Sequence, residues 1–193
     1  MKFQYPLEKL WGRAMVDPIT TRRFGFRCVF FGLCAAIIFL KMLPLSTIPR
    51  SVPGPELLCC LTVVWIMRRP RWAPVGLIVL VHLIADILFL RPIGLWPAIS
   101  LLGYEYLRRK AAGPTEIALP LEVGIAAAPF AVMVLANALL QFVFGVGQPT
   151  FLTLIYHVIV TVIAYPLMIA FSHFVVRVRR ARPTDVDGSG IAA

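Results

Sequence analysis

Residues 72–110 read WAPVGLIVLVHLIADILFLRPIGLWPAISLLGYEYLRRK and decide the fold of this chain. Two apolar runs flank the sequence Arg-Pro-Ile-Gly at 91–94, and three basic residues close the second run at 108–110. A helix needs roughly 20 mostly apolar residues to cross a bilayer, a length that residues 72–90 reach. Because proline lacks an N–H donor and glycine tolerates positive φ, residues 91–94 predict a tight reversal between two helices.

His82, Asp86 and Lys41 are ionisable residues inside apolar runs. His82 and Asp86 are one helical turn apart and therefore share a helix face. A carboxylate in hydrocarbon costs about 2.5 kcal/mol or more, so it usually faces other helices and marks a functional position. The pair fits a hydrogen-bonded contact inside a bundle, a docking or coupling role for Asp86, or contact of both side chains with one ion. Lys41 can either snorkel to the interface or pair with Asp86.

The composition indicates one integral membrane domain. Of the 193 residues, 60% are hydrophobic and only 15% are charged, whereas soluble domains have about 45–50% apolar residues. Sixteen of the 19 lysines and arginines fall in four clusters that alternate with apolar runs: six up to position 27, then 68–71, 108–110 and 177–182. This alternation is typical of the positive-inside rule. A nucleic-acid-binding protein would instead gather its basic residues on one soluble face, so we expect no nucleic-acid partner.

We predict an all-α bundle of six transmembrane helices with both termini in the cytoplasm. The predicted spans cover about residues 28–48, 55–67, 72–90, 93–107, 119–143 and 151–176. The second span is shorter than a usual crossing, so it either starts earlier as extended chain or lies shielded inside the bundle. The fourth span is expected to kink at Pro97, and residues 177–193 form a polar cytoplasmic tail.

Residues 1–27 form a basic amphipathic segment. Apolar residues recur there at helical spacing, with Pro6 suited to a helix start and Pro18 to its end. This pattern predicts a short helix on the cytoplasmic leaflet, where its cations meet anionic membrane lipids. A loosely ordered basic tail is the alternative.

The sequence predicts no catalytic residue, cofactor or metal site, and hence no enzyme. It lacks the zincin, nucleophile-elbow and phosphate-loop motifs, and a histidine and a carboxylate alone are too few ligands for zinc. The four cysteines lack zinc-ligand spacing and are expected to be free, apolar side chains. Tyrosines 104 and 106, beside the basic residues at 108–110, suit an aromatic belt at the membrane interface.

This plan resembles MreD, the small polytopic inner-membrane protein of the bacterial cell-elongation machinery. The similarity rests on Asp86, Arg91-Pro92, Gly94-Leu95 and the run from Tyr104 to Lys110, within six predicted spans. The residues proposed for function or partner contact are Asp86, His82, Arg91, Pro92, Gly94, Leu95, Tyr104 and Lys41.

The resemblance implies a non-enzymatic scaffold in the bacterial inner membrane. MreD-like proteins bind MreC and belong to a complex with MreB filaments, the RodA glycosyltransferase and a class B penicillin-binding transpeptidase, which supports lateral peptidoglycan synthesis and rod shape. The implied fold is similar to the substrate-binding subunit of energy-coupling-factor vitamin transporters. That similarity supplies the alternative function, a small-molecule-binding transporter subunit, which would need a polar and aromatic pocket opening outward.

Overall fold

The computed structural model describes residues 18–43, 54–70, 72–112, 118–145 and 150–176. These ranges form six helices and contain no strand. The helices are α1 (Pro18–Met42), α2 (Leu57–Arg68), α3 (Val75–Leu88), α4 (Leu95–Ala111), α5 (Leu119–Val143) and α6 (Phe151–Val176). Within α1, α5 and α6, three segments are long and apolar enough to cross a membrane: Phe24–Met42, Leu119–Val143 and Phe151–Phe174. The predicted all-helical class is therefore confirmed for the described residues, and these three helices have the character of membrane spans.

The shortest helix, α2, is the core of the bundle. Every residue from Leu58 to Met67 is buried, and α2 contacts α1, α4 and α6. Because α2 is enclosed on all sides, it does not need the length of a lipid-facing helix, and the shielded position expected as one option for this segment is what the structure shows.

The longer helices bury one face each and expose large apolar side chains on the other. Leu135 and Leu139 on α5, like Ile163 and Leu167 on α6, are exposed along one helix face each. The second predicted span therefore packs like a soluble core helix, whereas α5 and α6 resemble helices that face lipid.

The helix boundaries agree with the predicted spans most closely at the carboxyl end of the chain. Both α5 and α6 match the predicted ranges, and α3 lies inside the range 72–90. The largest difference is in α1, which begins at Pro18, ten residues before the predicted start. Pro18 therefore starts a helix instead of ending one, which its missing N–H allows in the first turn. The predicted segment before Pro18 and the polar tail from 177 lie outside the described residues.

Pro97 lies where a proline does not disturb a helix, so it gives no cause for the predicted kink. Pro97 is the third residue of α4, since Gly94 is the residue that caps its amino end. The first N–H groups of a helix have no partner within the helix, so proline at this position removes no hydrogen bond. Pro97 thus belongs to the first turn of α4.

Candidate functional site

The most connected polar group of the bundle is Glu56, the residue before α2. One carboxylate oxygen accepts a hydrogen bond from Lys41 Nζ at 3.0 Å, and the other accepts one from Arg91 Nη2 at 2.9 Å. The backbone N–H of Glu56 donates to Thr161 Oγ1 at 3.3 Å. Glu56 therefore joins the end of α1, the start of α2, the segment after α3 and the middle of α6. We call Lys41, Glu56 and Arg91 the Glu56 cluster.

This cluster decides the role of Lys41. Its partner is Glu56, not Asp86, because the carboxylate of Asp86 is already directed at a different group. Sequence reasoning missed Glu56 altogether. The available signal was its position directly before an apolar helix, on the same side of the predicted bundle as Lys41 and Arg91.

The reversal between α3 and α4 is built on Asp86 and Gly94. Gly94 has φ +84°, as the prediction of a tight turn requires, and its N–H donates to Asp86 Oδ2 at 3.1 Å. The backbone N–H of Arg91 donates to the Asp86 carbonyl at 3.0 Å, and Leu95 N–H donates to the Pro92 carbonyl at 3.3 Å. The Asp86 side chain thus holds the amino end of α4 against the last turn of α3, and this turn delivers Arg91 to Glu56.

His82 has separate partners from Asp86, although both are buried on α3. His82 Nδ1 lies 2.9 Å from the Ile78 carbonyl and Nε2 lies 2.9 Å from the Tyr104 hydroxyl. That hydroxyl also lies 3.2 Å from Cys59 Sγ. Since a carbonyl only accepts, Nδ1 carries the hydrogen, and in a neutral ring Nε2 must accept from Tyr104. The Cys59 thiol is then left to donate to the tyrosine oxygen.

Tyr104 is therefore a core residue, and its predicted place in an interfacial aromatic belt is wrong. Its side chain is 1% exposed, because it turns inward to meet α2 and α3. Tyr106, two residues later on α4, is 48% exposed and remains suited to an interface. The two tyrosines differ because residues two apart on a helix point to different faces.

A second charged cluster lies at the other end of α2. Arg68 Nη2 lies 3.7 Å from Glu122 Oε2, and the Tyr165 hydroxyl donates to Glu122 Oε1 at 3.0 Å. We call these three residues the Glu122 cluster. It connects the last residue of α2 with the first turn of α5 and the middle of α6. Nearby, Arg108 on α4 donates to the Ala73 carbonyl at 3.0 Å and so fixes the loop between α2 and α3.

The predicted functional residues fall into two groups. Asp86, Arg91, Pro92, Gly94 and Leu95 share the α3–α4 turn, and Lys41 is joined to that turn through Glu56. His82 and Tyr104 form the other group: they bond each other, and the Tyr104 hydroxyl also contacts Cys59 on α2. No group of three metal-ligating side chains occurs within the described ranges. Most polar groups in these clusters bond other protein groups across helices, an arrangement suited to holding helices in register.

Comparison of the chain with protein-family models, with curated proteins and with solved structures finds no match.

Proposed function

We propose that this protein is an MreD-like, non-enzymatic membrane scaffold of the bacterial cell-elongation complex that binds MreC and supports rod shape. The proposal rests on the α3–α4 turn. The residues behind the resemblance, Asp86, Arg91 and Gly94, act as one unit there: the Asp86 carboxylate accepts from the N–H of Gly94, the residue that caps α4, and the same turn carries Arg91 to Glu56. Since this unit ties α1 to α4 through side chains, it gives a partner a fixed surface.

The proposed topology has six crossings with the basic clusters inside. Arg68 and Arg108 support it, because both lie at the end of the bundle where α2 meets α3. Lys41 and Arg91 lie at the opposite end, where they meet Glu56. In a bacterial inner membrane, the positive-inside rule then puts the Arg68 end in the cytoplasm and the Glu56 cluster toward the outer leaflet. Helices α2 to α4 are short crossings shielded or flanked by α1, α5 and α6.

The test is depletion of the protein in its native host, with cell width measured by microscopy and MreC recovery measured by affinity purification of the tagged protein. We expect depleted cells to widen and round up, and wild-type protein to restore rods and to co-purify MreC. Asp86→Leu removes the acceptor that holds the Gly94 N–H and is expected to lower both MreC recovery and rescue. Asp86→Asn keeps an acceptor oxygen for the Gly94 N–H and serves as the matched control.

Rod-shaped growth during depletion, together with no recovery of MreC, would remove the scaffold proposal. Saturable binding of a vitamin by the purified protein would instead favour the transporter-subunit alternative. Membrane levels of each variant are measured in parallel, so that a loss of rescue is compared at equal protein amounts. Substitution of Glu105, an exposed residue on α4 paired only with its helix neighbours, is the second control.

A further inference from the structure

An apolar groove runs along the outside of the bundle between α1 and α3. Its volume is about 190 Å³, and its wall is formed by Phe31, Ala35 and Met42 on α1 with Val81, Ile84 and Leu88 on α3. None of these six side chains carries a polar group. The groove is therefore shaped for a hydrocarbon chain.

The length and position of the groove match one leaflet. From Phe31 to Met42 the helix advances eleven residues, or about 16 Å at 1.5 Å per residue. That distance is about half of the roughly 30 Å hydrocarbon core of a bilayer. The groove ends at Met42 and Leu88, the last residues of α1 and α3, beside the Glu56 cluster.

The charge at this end favours an anion. The Lys41 and Arg91 side chains are 25% and 37% exposed, whereas Glu56 between them is 9% exposed. Each cation uses one N–H group on Glu56 and retains others, since an ammonium has three and a guanidinium has five. Both cations also lie near the ring of Phe89, at 6.0 Å and 5.3 Å from its centre, directly after the last groove residue of α3.

Two carboxylates lie near this pair of cations. Glu56 lies between them, and Asp86 is 1% exposed and directed at the Gly94 N–H. Because both carboxylates are buried and both cations are partly exposed, a group that approaches along the groove meets the cations first. A phosphodiester would accept their remaining hydrogens in charge-assisted bonds.

We propose that the α1–α3 groove binds an anionic phospholipid, with one acyl chain along the groove and its phosphate on Lys41 and Arg91. The site lies at the carboxyl ends of α1 and α3 and is independent of the scaffold role. The lipid would link α1 to α3 on this outer face of the bundle, where α2 does not contribute to the groove.

The experiment uses the full chain in a mild detergent. Purified protein is mixed with equal amounts of phosphatidylglycerol and phosphatidylcholine of identical acyl chains, and retained lipids are counted by native mass spectrometry. We expect one phosphatidylglycerol per protein, retained about tenfold over phosphatidylcholine. The reason is that phosphatidylglycerol carries a net negative charge, whereas the choline group of phosphatidylcholine neutralises its phosphate. Lys41→Gln and Arg91→Gln should each abolish most of this preference.

Ala35→Phe tests the groove without touching the charges. The larger side chain fills the groove, so retention of phosphatidylglycerol should fall at least as far as in the charge variants. The controls are Ala128→Phe, at an exposed position of α5, and Lys110→Gln, an exposed cation at the far end of α4. Both should retain phosphatidylglycerol like the wild type, and melting temperatures establish that each variant is folded.

Three results would overturn the proposal. Equal retention of the two lipids would mean that the groove binds acyl chains without distinguishing between the headgroups. Unchanged retention in Ala35→Phe would place the lipid elsewhere. A change of oligomeric state in Ala35→Phe, with no specific lipid in the wild type, would assign the groove to a second copy of the chain.

Discussion

The two ends of α2 are held by different numbers of charged partners. At the amino end, Glu56 is held by two cations at 2.9 and 3.0 Å, one from α1 and one from the α3–α4 turn. At the carboxyl end, Arg68 faces a single carboxylate at 3.7 Å, which a tyrosine hydroxyl also binds. A short buried helix can be positioned only by its side faces and its ends, and here the amino end carries more of the directional bonding. The Glu56 cluster thus joins α1, α2, α6 and the α3–α4 turn, whereas the Glu122 cluster joins α2, α5 and α6.

The largest effect is expected for Glu56→Gln. The change leaves Lys41 and Arg91 side by side without the carboxylate charge that both of them bond. Loss of one member of a buried ion pair costs about 3–5 kcal/mol; because both cations here are partly exposed, we expect the free energy of unfolding to fall by about 2–3 kcal/mol. Chemical denaturation in detergent measures it. Glu105→Gln, which breaks exposed pairs on α4, is the control and should change stability by less than about 0.5 kcal/mol. An equal effect of the two substitutions would abolish the contrast.

Glu122→Gln tests the other end and should have a smaller effect. The glutamine oxygen can still accept from Tyr165, so the main loss is the charge that faces Arg68. We expect about 1–2 kcal/mol, because one charge-assisted contact is lost and the arginine keeps partial access to solvent. The same denaturation assay provides the comparison. A loss larger than that of Glu56→Gln would reverse the ranking of the two clusters.

Gly94→Ala sharpens the comparison by acting on the turn that delivers Arg91. A Cβ at this position meets no atom within 4 Å, so the substitution adds only the strain of a positive φ. That strain is about 1–2 kcal/mol. Gly76→Ala is the matched control, since it lies in α3 with equally open space and should be neutral or stabilise by about 0.5–1 kcal/mol. The midpoint of thermal unfolding should therefore fall in Gly94→Ala and stay unchanged or rise in Gly76→Ala.

Tyr104→Phe probes the contact of α4 with α3 and the first turn of α2 and should have the smallest effect. It removes the hydroxyl between His82 and Cys59 while it keeps the ring in place. A buried hydrogen bond contributes about 1 kcal/mol, and we expect a loss of that size. Tyr106→Phe, on the exposed face of α4, should leave the unfolding midpoint unchanged. Equal midpoints for the two variants would show that the inward tyrosine is held by packing alone.

Local patterns predicted much of this architecture. The ends of α5 and α6 follow from long, mostly apolar runs bounded by glycine, proline and polar residues, and the reversal at Gly94 follows from the backbone freedom of glycine. The length of α2, too short for a lipid-facing span, left its shielded place as one of two options, and the structure shows that one. These features depend on residues close together in the sequence.

Pairings between distant residues were not predictable in the same way. The sequence suggested Asp86 or the membrane interface for Lys41, and only the packing of α1 against α2 shows that its partner is Glu56. Likewise, the rotation of α4 about its axis decides that Tyr104 enters the core. Hydrophobic periodicity is weak in helices that are apolar nearly all round, so it does not reveal which face turns inward.

The sequence by itself determined the all-helical class, because apolar length and chain reversals are local properties; it predicted six spans, and three of the described helices are long and apolar enough to cross a membrane. Only the tertiary structure decided which helix is central and which charges meet. Both depend on how six helices share a limited interior, where each buried carboxylate must find its partner on another helix.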